Sequence, residues 1–172
     1  MEALERPDAM AAKELSKRPV MLILDDVRSM HNVGSAFRTA DAFGIEAIYL
    51  CGYTPTPPHR DIRKTALGAE ETVRWQHFET VTAALKDAMD KGYEPVAVEQ
   101  VHGSTPLHEF AWNQQQPLAL IFGNEVAGVS DEALALARRC LEIPQWGSKH
   151  SLNISVSVGV ALWELVRKDG SL

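Results

Sequence analysis

The chain has 172 residues, 45% of them hydrophobic and 23% charged, and a formal net charge of −6. That is enough chain for one domain with a substantial core and an ordinary globular composition. The acidic balance argues against a general nucleic-acid coat protein while leaving room for a local basic patch, and no apolar run approaches the roughly 20 residues that cross a bilayer.

Residues 1–18 are polar with scattered Ala and Leu and read as a short helix or a loose arm, with residues 19–172 as one domain. No apolar leader opens the chain. Residues 20–24 form a continuous apolar run, suited to a strand buried on both faces. Val33, Ala36, Phe37 and Ala40 fall at helical spacing in residues 32–43, with Gly44 as the stop. Residues 47–50 are a second strand and residues 72–78 a short β-rich segment. Residues 79–91 form an amphipathic helix ended by Gly92. Residues 95–98, 118–122 and 140–143 are further short strands. Ser130 caps a helix over residues 131–139, with acids in its first turn and Arg138 and Arg139 in its last, as the macrodipole prefers. Residues 154–167 are a final apolar helix. Cys51 and Cys140 lie in strand-like surroundings without metal-ligand spacing, so reduced core thiols and a cytoplasmic location are expected.

Strands alternating with helices mean an α/β domain with a mainly parallel sheet and helices on both faces. In such sheets ligands bind beyond the carboxyl ends of the strands. Four groups of residues stand near those ends. The first is Asp25, Asp26, Arg28, His31, Asn32, Gly34 and Arg38. Asn32 precedes the helical periodicity, so N-capping is its default role; with Arg38 it can also serve one polar site at the helix start. The second is the loop Gly123-Asn124-Glu125-Val126-Ala127-Gly128. It is neither GxGxxG nor a P-loop, so a ligand without phosphate fits it better. Glu125 is either a carboxylate in water or an acid with a partner. The third runs from Ile143-Pro144 through Ser148, Lys149, His150, Ser151, Leu152 and Asn153 into the last helix. Apolar walls and backbone groups of two neighbouring loops there can hold an adenine, and Ser151 or Asn153 can equally be a plain N-cap. The fourth is His59-Arg60-Asp61-Ile62-Arg63-Lys64, where Arg60, Arg63 and Lys64 suit backbone phosphates. No nucleophile elbow, HExxH or Cys/His cluster appears, so no metal is expected.

Three of these stretches, in order, resemble the SpoU/TrmH family of RNA ribose 2′-O-methyltransferases within the SPOUT class. They are Asn32-Val33-Gly34-Ser35-Ala36-Phe37-Arg38, then Gly123-Asn124-Glu125 with Gly128, then Ile143-Pro144 through Ser151-Leu152-Asn153 to Glu164. The phrase from His59 to Ala69 also looks like the family. The resemblance spans roughly residues 19–167. It implies a C-terminal trefoil knot in the sheet, a homodimer with the site at its interface, and S-adenosyl-L-methionine as cofactor. By motif position Gly123, Ile143 and Leu152 would hold the cofactor. Asn32, Arg38, Glu125, Ser151 and Asn153 would form the catalytic cluster acting on tRNA or rRNA. The hard part of such a reaction is the weakly acidic ribose hydroxyl, which must be aligned and relieved of its proton. The alternative is a non-catalytic RNA-binding or assembly factor of the same fold. A nucleotide-binding protein without an RNA role fits the basic stretch less well. The last helix carries more apolar surface than one core-facing stripe needs, and a dimer contact there is expected.

Overall fold

The computed structural model describes residues 17–113, 115–148 and 151–168. Seven strands form one sheet among these residues: β1 (Arg18–Asp25), β2 (Ile45–Cys51), β3 (Arg74–Phe78), β4 (Glu94–Val98), β5 (Thr105–Pro106), β6 (Leu118–Phe122) and β7 (Arg139–Glu142). Their order is β3-β2-β1-β6-β4-β7-β5, and every ladder is parallel. The helices are α1 (Met30–Ala42), α2 (Arg60–Ala66), α3 (Ala69–Thr72), α4 (Val81–Asp90), α5 (Asp131–Leu136) and α6 (Ile154–Lys168), with a 3-10 turn at Leu107–Glu109. The expected α/β class with a parallel sheet is the one observed.

Side chains alternate across a pleated strand, and here both faces are covered. Val20, Leu22 and Leu24 of β1 and Leu118, Leu120 and Phe122 of β6 face one core, against Phe37 of α1 and Val158 and Leu162 of α6. Met21, Ile23, Ala119 and Ile121 face the other, against Ala84, Leu85 and Ala88 of α4 and Ala133 of α5. That two-sided burial is why the central strands read as unbroken apolar runs. Cys51 and Cys140 are free thiols in these strands, and burial pushes the Cys51 thiol well up.

Two expectations need correction. α1 begins at Met30, and Ser29, not Asn32, caps it: Ser29 Oγ accepts from Asn32 N–H at 3.3 Å. α5 stops at Leu136, although Ser130 caps it as read. Ala137 is extended, Arg138 N–H donates to the Pro95 carbonyl at 2.9 Å, and Arg139 joins β7 beside Val96. The sheet therefore captures the two arginines assigned to the helix end. Between β4 and β6 the chain forms β5 and the 3-10 turn. Residues 1–16 of the arm, with Lys149 and His150, lie outside the described residues.

Because all strands are parallel, the loops after β1, β4, β6 and β7 emerge on one edge. β6 lies between β1 and β4, and β7 flanks β4. Strand order thus makes the loops after β1 and β6 neighbours and sets the loop after β7 one strand further, beyond β4.

Candidate active site

The loop after β6 is built around Asn124. Its backbone exchanges two hydrogen bonds with Gly128, each 2.9 Å, closing a tight turn. Its side-chain oxygen accepts from Val126 N–H at 2.9 Å and Ala127 N–H at 3.0 Å, and its amide donates to the Asp26 carbonyl at 2.8 Å. Gly123 is required by packing: a Cβ there would sit 2.0 Å from the Gly128 carbonyl carbon and 2.1 Å from Val129 N. The turn therefore presents Glu125 in one direction only.

Glu125 reaches the start of α1. Its carboxylate accepts from Arg28 N–H and Ser29 N–H, each at 3.2 Å, and from the Asn32 side-chain amide at 2.9 Å. An anion at a helix N-terminus meets unpaired donors and the positive end of the dipole. Partial burial pushes this carboxyl up, but the bonds from Asn32, its own backbone, Arg28 and Ser29 outweigh that, so it sits below the usual carboxylate range. Ionised at neutral pH, Glu125 acts as an orienting acceptor that locks Asn32. Of the two readings left open, the acid has partners.

A group with a depressed folded pKa adds stability above its unfolded pKa and loses it as pH falls through the folded value. Glu125→Gln should therefore lower stability by about 1 kcal/mol at pH 7, given the exposure of the site. The gap to wild type should close as pH drops below about 4. Urea unfolding of both proteins across pH 3–7 reads this directly; a constant gap at all pH values would show that the charge contributes nothing.

On the other side of the turn lies a cleft of about 470 Å³ between the loops after β4, β6 and β7. Gly123, Ile143, Leu152, Ser151 and Asn153 all line it. Its size suits a small organic ligand. No lysine or arginine lines it among the described residues, and its ionisable side chains are Glu99 and Glu125. Such a lining disfavours phosphate and accepts a cation. Asn153 is the N-cap of α6: its side-chain oxygen accepts from Ser155 N–H at 2.8 Å and Ser155 Oγ–H at 2.6 Å. The capping role weighed for Asn153 holds, and it fixes the helix start at the cleft wall. Glu164, the far end of the third motif, lies away from the cleft, paired with Arg167 at 2.7 Å and Lys168 at 3.1 Å.

Arg38 is not brought to this cluster within one chain. Six residues along an α-helix turn a side chain through about 600° and advance it by about 9 Å, so Asn32 and Arg38 occupy different faces of α1. Arg38 is exposed, and it has no ion-pair or hydrogen-bond partner among the described residues. The two side chains therefore leave α1 in different directions. Arg60, Arg63 and Lys64 are exposed on α2, where Arg63 lies 3.6 Å from Glu71.

Of the residues that hold the loops, sequence reasoning missed Glu99 and named Asp25 only as one of the group after β1. Glu99, after β4, accepts from Val129 N–H at 3.0 Å, and Asp25 accepts from Ser130 N–H at 2.9 Å. Both are acids at strand ends, and that is the one signal they carried. Gly34, read as part of a motif, is a contact residue between helices. A Cβ there would meet Thr65 Oγ1 at 2.1 Å and the Ile62 carbonyl at 2.3 Å, so α1 and α2 touch only because it is glycine.

Residues 19–163 match the model of the SpoU rRNA Methylase family. The chain is 32% identical over 169 residues to the 23S rRNA (guanosine-2′-O-)-methyltransferase RlmB of Haemophilus influenzae, covering 92% of this chain and 68% of that protein. Among solved structures it is similar to the A. aeolicus TrmH/SpoU tRNA modifying enzyme, with TM-score 0.81, 25% identity and coverage of 93% and 81%. It is also similar to the AdoMet-bound rRNA methyltransferase of Sinorhizobium meliloti, with TM-score 0.81, 27% identity and coverage of 91% and 59%. The chain spans from 41 to 68% of the length of the curated relatives it matches. A family match across most of the chain, carried on a parallel sheet whose second and third motif loops meet at one cleft, means that the chain belongs to the SpoU methylase family.

Proposed function

We propose that this chain is an S-adenosyl-L-methionine-dependent methyltransferase acting on a ribose 2′-hydroxyl of tRNA or rRNA. One observation carries the reading: the turn at Gly123-Asn124-Glu125 joins a cleft lined by no lysine or arginine among the described residues to the helix that bears Asn32 and Arg38. The Haemophilus influenzae relative is a 23S rRNA (guanosine-2′-O-)-methyltransferase, and the similar Sinorhizobium meliloti rRNA methyltransferase structure holds AdoMet. When bound, the cofactor supplies a methyl group activated by its sulfonium charge. The walls of the cleft at Gly123, Ile143 and Leu152 would hold it through backbone groups and apolar contact. Glu125 fixes Asn32 and the start of α1. Ser151 and Asn153 stand at the cleft wall. Arg38 binds the target phosphate and ribose as a bidentate charged fork.

Arg38 completes the site from a second copy, so the working form is a homodimer. Val156, Val160 and Trp163 support this. They are 49, 37 and 49% exposed on α6 and repeat at i, i+4 and i+7, an apolar stripe facing away from the core. A C-terminal knot, a cytoplasmic location and a single methyltransferase domain from residue 19 onward belong to the same reading.

The test is transfer of a labelled methyl group from S-adenosylmethionine to total RNA from a strain lacking this gene, followed by nucleoside analysis. A 2′-O-methylated nucleoside is the expected product. RNA binding without transfer would favour the assembly-factor alternative. RNA contact should also run through α2: Arg60→Ala and Lys64→Ala should each weaken RNA binding and reduce the salt slope by about 1. Arg63→Ala should do less, because Glu71 already pairs with that side chain. Filter binding at several salt concentrations distinguishes the three; equal slopes in all variants would remove α2 from the interface.

A further inference from the structure

The loop after β2 carries an exposed tyrosine on an unusually fixed backbone. Tyr53 is 78% exposed, yet its N–H donates to Asp26 Oδ1 at 2.8 Å. The next residue, Thr54, is buried; its hydroxyl donates to the Leu24 carbonyl at 3.1 Å and accepts from Val27 N–H at 3.0 Å. Gly52 N–H donates to the Phe78 carbonyl at 3.0 Å. Among the described residues every hydrogen bond of this corner serves to hold the backbone, and none uses the Tyr53 ring. The core does not need Tyr53, because both clusters close without it.

The ring has one neighbour of chemical interest. The Arg28 guanidinium stands over it at 5.7 Å from the centroid. Arg28 is fixed in turn by its backbone bond to Glu125. It also lines an open recess of about 600 Å³ with Ser29, Asn124, Glu125, Val126 and Ala127, on the flank of the turn that walls the cofactor cleft. An aromatic face and a guanidinium plane, both carried on anchored backbone and both open to solvent, are the two surfaces on which unstacked bases stack. A fixed backbone lowers the ordering cost of such a contact.

We infer that Arg28 and Tyr53 form a stacking platform for an unpaired RNA base, holding the nucleotide at or beside the one whose ribose is methylated. The inference rests on the proposed RNA methyl transfer and deepens it by naming where the base is held. Tyr53 and Arg28 are positioning residues: they fix the base, and the reacting hydroxyl is left to the Asn32, Arg38 and Glu125 group. The substrate is then RNA whose target lies in a loop or an unpaired end, not in a continuous duplex.

The experiment is steady-state methylation of total RNA from a strain lacking this gene, with Tyr53→Ala, Tyr53→Phe and Arg28→Ala beside the wild type. Tyr53→Ala should raise the KM for RNA about tenfold or more, with S-adenosylmethionine binding by calorimetry unchanged. Tyr53→Phe should restore wild-type KM, which a hydroxyl-based role would not allow. Arg28→Ala should raise KM as well, without altering the melting temperature. Irradiation of the wild-type complex with the same RNA at short ultraviolet wavelength should give nucleotide adducts on the peptide containing Tyr53. If the wild type methylates RNA while Tyr53→Ala keeps its KM and the adducts map elsewhere, this inference is overturned and the methyltransferase reading stands. If the wild type transfers no methyl group to RNA, both fall.

Discussion

Replacing Arg38 by alanine should reduce single-turnover methyl transfer by about 100-fold or more while leaving cofactor affinity within about twofold, on the scale expected for a charged group acting at the reacting centre. Arg38 is exposed on α1, outside both the cleft between the loops after β4, β6 and β7 and the recess beside it. A solvated arginine without structural work to do should be dispensable for folding, so the melting temperature should not move. Arg38→Lys should fail too, because a point charge cannot reproduce the planar fork on phosphate and ribose oxygens. The geometry adds a sharper test. Within one chain Glu125 holds the N-terminal end of α1, whereas Arg38 projects from its C-terminal half. If Arg38 serves the partner's cleft, Arg38→Ala and Asn153→Ala proteins should each be inactive alone. Mixed and allowed to exchange subunits, they should regain part of the activity, since one mixed dimer holds one intact site. Wild-type rates for Arg38→Ala would make it a surface residue and remove the mechanism; inactivity with no recovery on mixing would place Arg38 in its own chain's site.

The elements that sequence reasoning read best are those whose signal is local. β6 was legible to the residue because a five-residue apolar run buried on both faces has no other use in so short a space. α4 was legible from the spacing of Val81, Ala84, Leu85 and Ala88, though Thr80 moves its start two residues on. The end of α5 was not legible, because it is set by a bond from Arg138 to Pro95, a residue more than forty positions earlier. The same distinction divides the site. Gly123, Ile143, Leu152, Ser151 and Asn153 carry motif spacing, and they do converge on one cleft. The capping of Asn153 was readable from its place before an apolar helix. The capture of Asn32 by Glu125, across 93 positions of sequence, was not. Nor was the role of Glu99, which holds the far side of the Gly128 corner through a single backbone bond. Acids at strand ends look alike in sequence; which of them meets an unpaired N–H is decided by strand order, and strand order is a property of the whole sheet.

Gly123→Ala should be among the most damaging single changes in the chain, by more than about 3 kcal/mol. The reason is contact with backbone. A methyl group at position 123 would lie 2.0 to 2.2 Å from three main-chain atoms of Gly128 and Val129. No rotamer change relieves a clash with main chain. The turn would have to open, and opening it breaks the paired bonds between Asn124 and Gly128 and withdraws Glu125 from Arg28, Ser29 and Asn32. Loss of cofactor binding should therefore accompany the loss of stability, and the two should stay coupled over temperature. For the same reason a bulky residue at Gly123 does not test whether the cofactor touches that position. The control is Gly147→Ala in the loop after β7, where a Cβ would meet nothing within 4 Å. That variant should melt within about 1 °C of wild type, as surface substitutions do. Calorimetric melting and S-adenosylmethionine titration of both variants decide the matter. If Gly123→Ala melts like Gly147→Ala, the turn is more pliable than its packing implies, and Glu125 is not held by it.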